Sequence, residues 1–214
     1  MTPLTDIAVQ DRAVRLPRNK TGDAASVSRT SPVHEWDWHD GLMQLGTERP
    51  ETGIHVRAAE RDDARGIAIV HVQAWREAYA GQLPADALAA LAVEPRVPRW
   101  AAIIEDNVTD VYVAEAGEDI VGWATSSDGR DHDRPATREL EGIYLLQAVH
   151  GSGAGQRLLD AAIGDHPAYL WMLKENPRAE AFYRRNGFER DGATRELRMA
   201  GAAVPTVRMV RRRS

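Results

Sequence analysis

Three glycines, Gly151, Gly153 and Gly155, fall within five residues of the stretch VHGSGAGQRLL. A strand-like apolar run, Ile143 to Leu146, precedes them, and a helix-like run, Gln156 to Ile163, follows. Glycine loses more backbone freedom on folding than any other residue. Its repetition where a helix begins marks backbone that must turn tightly or lie close to something. The chemistry such a turn offers is anion binding. The first N–H groups of a helix lack internal acceptors, and the helix dipole favours negative charge. Successive amides in a glycine turn add a concave nest for phosphate oxygens. Side chains at the three glycines would stand between this backbone and its ligand. A diphosphate held on the amides of residues 151–155 is therefore the expectation, and a tight turn that binds nothing is the plainer alternative.

Two familiar phosphate loops do not fit. A Walker A loop ends in Gly-Lys-Ser/Thr, whereas this chain has Gly155, Gln156 and Arg157. The dinucleotide fingerprint G-x-G-x-x-G would place its third glycine at Gln156. Glu175 does lie at the end of the next strand, where a ribose-binding acid belongs, which keeps a nicotinamide-dependent oxidoreductase among the alternatives. That fold needs further βαβ units, and only about 40 residues remain after Glu175. A second constellation follows in ENPRAEAFYRRNGF. Asn176 suits a helix N-cap and Pro177 the first helical position, a start worth ~1 kcal/mol. Tyr183 lies two helical turns from Asn176 on the same face.

These groups need elements to hold them. Alternation over Ile54 to Ala59 predicts a strand. Apolar residues at Ala64, Ile67, Ala68, Ala74, Trp75, Ala78 and Tyr79 predict a helix, capped by Asp62 or Asp63. His71 falls on that stripe, where a satisfied core histidine is the expected reading. PADALAALA reads as a short helix with Pro84 near its start, and VPRWAAIIE as a third. DVYVAEAGEDIVGWATSS reads as a hairpin around Gly117. DGRDHDRPAT is a loop, RELEGIYLL the next strand, AYLWML another, and PRAEAFYRRNG a helix stopped by Gly187. The last residues read as two short strands and a basic tail, expected to be a solvated terminus. The order β-α-α-β-β-β-α-β-α-β-β implies an α/β protein, a mixed sheet with helices packed on it.

Composition narrows the classes. The chain of 214 residues suits one domain, residues 53–214, plus an extension, residues 1–52, read as poorly ordered. Within the extension, HEWDWHD has two histidines among acids but no third ligand at useful spacing. A short segment docking Trp36 and Trp38 is the simpler reading, and no metal is expected. Met43 is a candidate start. There is no cysteine, which excludes disulfides, thiolate metal sites and cysteine nucleophiles. A net charge of −5 gives no overall reason to expect nucleic acid. Of the 27 basic residues, only Lys20 and Lys174 are lysine, which reads as a genomic bias rather than a function. No apolar run approaches the ~20 residues of a membrane span, and the N-terminus lacks the apolar core of a signal peptide. A cytoplasmic protein is the expectation.

The run IYLLQAVHGSGAG, then a strand, then NPRAEAFYRRNGF, resembles the acyl-CoA-binding core of the GNAT N-acetyltransferase superfamily. The family's loop reads Q/R-x-x-G-x-G/A. Its counterpart here is His150, Gly151, Ser152, Gly153, Ala154 and Gly155, with His150 in place of Gln or Arg. The family's second signature, N-x-x-A-x-x-F-Y-x-x-x-G-F, is matched residue for residue from Asn176 to Phe188. The resemblance spans roughly residues 54–212. AWREAYAGQLP is loosely similar to members acting on small amines or peptide amino groups.

What the resemblance implies is a single domain with helices on both sides of a mostly antiparallel, splayed sheet. It also implies acetyl transfer from acetyl-CoA to an amine of a small molecule or peptide. The pantetheine arm would lie along the strand containing Ile143 and Leu145, and the diphosphate on the amides of residues 151–155. Arg157 is either a phosphate partner or solvent-facing. Tyr183 matches the family tyrosine that returns a proton to the departing thiolate. Glu139 and Glu141 are candidate bases on the strand entering the site, alternating with Leu140. Glu139 matches the family's acidic position better, and either is alternatively an ordinary strand acid. Trp75 and Tyr79 are candidate acceptor walls, or core. The acids of SSDGRDHDRP either draw a cationic acceptor or simply sit in a flexible loop. A homodimer is compatible with the resemblance. A non-catalytic acyl-CoA sensor of the same fold is the competing function.

Overall fold

The computed structural model describes residues 53–199 and 202–212. The N-terminal extension, with HEWDWHD and Met43, lies outside the described residues. The elements run β1 (His55–Ala58), α1 (Ala64–Ala78), α2 (Ala85–Ala89), α3 (Val97–Asp106), β2 (Asp110–Ala116) and β3 (Asp119–Asp128). They continue with β4 (Arg138–Leu145), α4 (Ala154–Ile163), β5 (Ala168–Leu173), α5 (Pro177–Arg185), β6 (Glu189–Met199) and β7 (Ala202–Arg211). Single 3-10 turns precede α1 (Arg61–Asp63) and follow β4 (Gln147–Val149).

The strands form one sheet of order β1-β2-β3-β4-β5-β7-β6. Every pairing is antiparallel except β4 with β5. That parallel pair is short. Arg138 faces Ala168 and Glu139 faces Tyr169, and no later residue of β4 is paired with β5. The strands then diverge, so the sheet is splayed as expected. β4 also carries a bulge against β3: Gly142 opposes Thr125 and Leu140 opposes Ser126, which leaves Glu141 as the additional residue.

Helices cover both faces because each has one apolar stripe to bury. On one face Leu158, Leu159 and Ile163 of α4 pack on Leu140, Leu170 and Met209, with Tyr183 and Phe188 beside them. On the other, Ile67 and Val70 of α1 and Trp100 of α3 pack on Val113 and Trp123. Toward the C-terminal end of α1, Trp75, Tyr79 and Leu88 meet Leu173, Met199 and Val204. His71 is a core histidine, enclosed by the rings of Trp75, Trp100, Trp123 and Tyr144.

Three sequence expectations need correction. Asp63 does not cap α1 through its side chain. Its carboxylate instead accepts the Glu60 amide at 2.7 Å and pairs with Arg57 at 2.6 Å, tying the start of α1 to β1. The C-terminal strands are long rather than short, and the basic tail is largely part of the sheet. Arg208 is only 6% exposed, with Asp131, Asp133 and Asp191 on its guanidinium at 2.6–2.7 Å. Those contacts also bind the DGRDHDRPAT loop to β7, so the loop is a clamped segment.

Candidate active site

The divergence of β4 from β5 opens a cavity of about 740 Å³. Ile143 and Leu145 of β4 form one wall and α5 another. The glycine turn and the C-terminal part of α1 also border it, and the Gln147 amide that leads into the turn donates to Glu77 of α1 at 2.8 Å.

The glycine turn reaches α4 through two left-handed residues, Gly151 at φ +84° and Gly153 at φ +85°. Side chains are strained in that region, and a Cβ at either position would point into open space. Gly153 is the N-cap, so α4 begins at Ala154, two residues earlier than its periodicity suggests. Ser152 Oγ donates to the Val149 carbonyl at 2.7 Å and accepts the Ala154 amide at 3.3 Å. Among the described residues, no acceptor meets the amides of Gly151, Gly153, Gly155 or Gln156. These donors stand at a helix N-terminus beside the cavity, where an anion is favoured.

Gly151, Gly153, Gly155 and His150 line the cavity, whereas Ser152 and Ala154 do not. Ala154 is buried under the turn. Gly155 differs from the other two glycines. A Cβ there would lie 3.3 Å from Leu145 and 3.6 Å from Phe182, so its smallness allows α4 to pack against β4 and α5. His150 Nε2 lies 3.2 Å from the Leu145 carbonyl. Partial burial, then the nearby Arg178, holds the imidazole below its ordinary pKa. Arg157 reaches away from the cavity and donates to the Ile54 carbonyl. The cations in the wall are Arg178 and Arg185, which flank Phe182 on one face of α5. Neither stood out in the sequence, although their spacing around Phe182 was readable.

Asn176 caps α5, its Oδ1 accepting the Ala179 amide at 3.1 Å. Tyr183 follows on the face turned to the cavity, 8% exposed. Burial, with Tyr79 nearby, pushes its phenol well above the ordinary tyrosine range, so it remains protonated at neutral pH. Tyr79 lines the cavity too and shares a 2.8 Å hydroxyl–hydroxyl bond with Tyr144, a wall residue the sequence analysis missed. Burial lifts Tyr79 to about 12, against a smaller opposing effect of that bond. Trp75 stands behind Tyr79, edge-on to its ring, and does not reach the cavity.

The two glutamates take different positions. Glu139 is buried outside the cavity wall. It accepts two bonds from Arg130 and one from Tyr169 Oη, each 2.9 Å. Burial alone would raise its carboxyl; Arg130 and Tyr169 outweigh that and hold it below the usual range. Glu141, displaced by the bulge, lines the cavity. Ser127 Oγ donates to it at 2.9 Å and Arg130 Nη1 lies 3.3 Å away. Among the described residues no group of acids and histidines is arranged to hold a metal, and no helix is long and apolar enough to cross a membrane.

Comparison with known proteins agrees with this architecture. Residues 107–190 match the model of the acetyltransferase (GNAT) domain. The chain is 27% identical over 165 residues to a probable N-acetyltransferase of Mycobacterium tuberculosis, Rv2775, covering 73% of this chain and 92% of that protein. It is 29% identical over 131 residues to the uncharacterized N-acetyltransferase YuaI of Bacillus subtilis, covering 58% and 74%. Among solved structures, the PaiA N-acetyltransferase of Thermoplasma acidophilum in complex with coenzyme A superposes with a TM-score of 0.56. That match has 16% identity over 75% of this chain and 99% of that one. A ribosomal-protein-alanine N-acetyltransferase from Brucella melitensis gives a TM-score of 0.57 at 23% identity, over 73% and 98%. A splayed sheet, an open amide nest at the start of α4 and the Asn176–Phe188 signature thus coincide with matches in sequence and in fold. Over residues 107–190 the chain is similar in sequence to the acetyltransferase (GNAT) domain, and its fold is the one those N-acetyltransferase structures share.

Proposed function

We propose that this protein transfers the acetyl group of acetyl-CoA directly to a primary amine of a small molecule or peptide, without a metal. One observation carries the reading. Unoccupied amides of the glycine turn, the unpaired length of β4 and the Tyr183 phenol border a single cavity. The diphosphate of acetyl-CoA would rest on the amides of Gly151, Gly153, Gly155 and Gln156. Arg178 and Arg185 would add positive charge beside it. The amides of the pantetheine arm would take the backbone groups that β4 does not share with β5.

The chemistry needs three proton movements, two off nitrogen and one onto sulfur. An alkyl ammonium with a pKa of ~10.4 is neutral in only about one molecule in a few thousand at pH 7. A carboxylate must accept its proton, directly or through water. Glu141 suits this better than Glu139, because Glu141 lines the cavity and Glu139 is enclosed by Arg130 and Tyr169. The amine nitrogen then bonds to the acetyl carbon and the carbon–sulfur bond breaks. The departing thiolate takes the proton of Tyr183, which burial keeps in place until then, and the new amide nitrogen sheds its second proton, which restores the phenol directly or through water. With no cysteine in the chain, a cysteinyl acyl-enzyme is impossible and direct attack is the simplest route.

The test is thiol release from acetyl-CoA with a panel of primary amines, with the acetylated product confirmed by mass. The protein contributes no thiol background. Thermal stabilisation by coenzyme A checks the first half independently. Amine-dependent thiol release supports transfer. Stabilisation by coenzyme A with no turnover of any amine would support a sensor instead.

A further inference from the structure

In the transfer proposed above, Glu141 takes the acceptor's proton, and the structure does not leave that carboxylate to orient itself. We infer that Arg130 is the positioning residue of this base. Its guanidinium, anchored by Glu139 and Tyr169, holds the Glu141 carboxylate charged and in one place at the cavity wall. The inference rests on the acetyl-transfer reading.

Arg130 lies in the loop after β3 and is fixed at both its backbone and its side chain. Its backbone amide donates to Tyr169 Oη at 2.7 Å. Its Nε and Nη2 donate to the two oxygens of Glu139, each at 2.9 Å, and Tyr169 Oη donates to the same carboxylate at 2.9 Å. The fork to Glu139 occupies one edge of the planar guanidinium. The remaining nitrogen, Nη1, lies 3.3 Å from Glu141 Oε1. Glu139, buried outside the cavity wall, thus anchors the arginine, and the arginine reaches the carboxylate that lines the cavity.

Ser127 adds a second hold on the same oxygen. It stands opposite Glu139 in the β3–β4 ladder, and the bulge brings Glu141 to its hydroxyl. Ser127 Oγ lies 2.9 Å from Glu141 Oε1 and 3.2 Å from the Asp128 carbonyl, so its one hydrogen goes to the shorter, charged contact. The Glu141 side chain is 5% exposed. A carboxylate so enclosed resists ionisation, whereas a base must be ionised, and a cation within ~4–6 Å favours the charged form. Arg130 can supply that charge. Burial works against its guanidinium, but hydrogen bonding to Glu139 and the fields of both glutamates outweigh this and keep it charged.

The experiment compares two amines of similar size. Ethylamine arrives as the ammonium and needs a base. Trifluoroethylamine, whose fluorines draw its pKa below neutrality, arrives already neutral. Thiol release from acetyl-CoA by the full chain gives kcat/KM for each, and the ratio of ethylamine to trifluoroethylamine cancels any loss that falls on both. E141Q, which removes the base, is expected to lower that ratio by at least about tenfold. R130M is expected to lower it by a similar factor, with KM for acetyl-CoA within about threefold of wild type, and to lower it no further in the E141Q background. An arginine that only supports the fold would depress both amines together. A wild-type ratio in R130M overturns the inference, and so does a further fall in R130M/E141Q; either result leaves acetyl transfer standing. If R130M does not fold, R130M/E139Q takes its place, because it leaves no charge stranded at Glu139, and a wild-type ratio there overturns the inference. An unchanged ratio in E141Q removes Glu141 as the base and the inference with it. If coenzyme A binds and neither these amines nor the panel release thiol, the transfer reading itself falls.

Discussion

In the proposed transfer, the phenol of Tyr183 serves because it does not ionise near neutral pH. Burial keeps its proton available for a thiolate, so removing the hydroxyl should affect turnover and spare binding. Y183F is expected to lower kcat by about 10²–10⁴-fold while KM for acetyl-CoA changes less than about threefold, read from steady-state kinetics. The two glutamates separate in the same way. E141Q should reduce kcat/KM for the amine by at least about tenfold, with little change in the midpoint of urea unfolding. E139Q should do the reverse, because its carboxylate organises Arg130 and Tyr169 rather than the cavity. Its cost is about 1–2 kcal/mol after allowing for the partial exposure of Arg130. The sign with pH follows from the depressed Glu139 pKa. Its stabilisation is fully present above the ordinary carboxyl range, near ~4.3, and is lost as pH falls through the lower folded value. The stability gap between wild type and E139Q, measured by urea unfolding from pH 7 downward, should therefore close only in acid. The resemblance favoured Glu139 over Glu141, and the cavity lining reverses that order. Strict alternation puts both on one side, and the bulge that separates their roles is a property of the β3–β4 pairing, which no local pattern announces.

At the scale of elements, the turn into α4 and the start of α5 were legible because both are local backbone problems. A left-handed turn calls for glycine, and a helix start calls for a cap, and each leaves its mark within a few residues. Gly153 and Gly155 nonetheless serve different ends. G153A places a side chain where φ is +85°, beside the amides that would hold a diphosphate. It is expected to weaken coenzyme A binding by at least about tenfold, measured by calorimetry, with about 1 kcal/mol lost in stability. G155V would instead force atoms against Leu145 and Phe182, so its main effect should be a lower melting temperature in the absence of ligand. The extent of α4 was underestimated for a related reason. Periodicity reports the buried stripe, whereas the first turn of this helix is set by Gly153 and the Ser152 hydroxyl.

Across the whole molecule, what escaped the sequence is long-range. RMVRRRS looks like a charged end until its partners, some 17–77 residues away, are brought alongside. Arg208 then joins β7, the loop before β4 and β6 through three aspartates. Replacing it with methionine strands carboxylates that are largely buried at Asp131 and Asp191, and is expected to cost about 3 kcal/mol in urea unfolding. The same strand has a consequence for how the protein is made. β7 lies between β5 and β6, so β6 has no partner strand, and β5 none beyond its short pairing with β4, until residues 202–211 exist. During synthesis on the ribosome, the half of the sheet that carries Trp171 and Leu197 must wait for the codons of β7. Nascent chains stalled before that point can close the hairpin around Gly117 but cannot join β5 to β6.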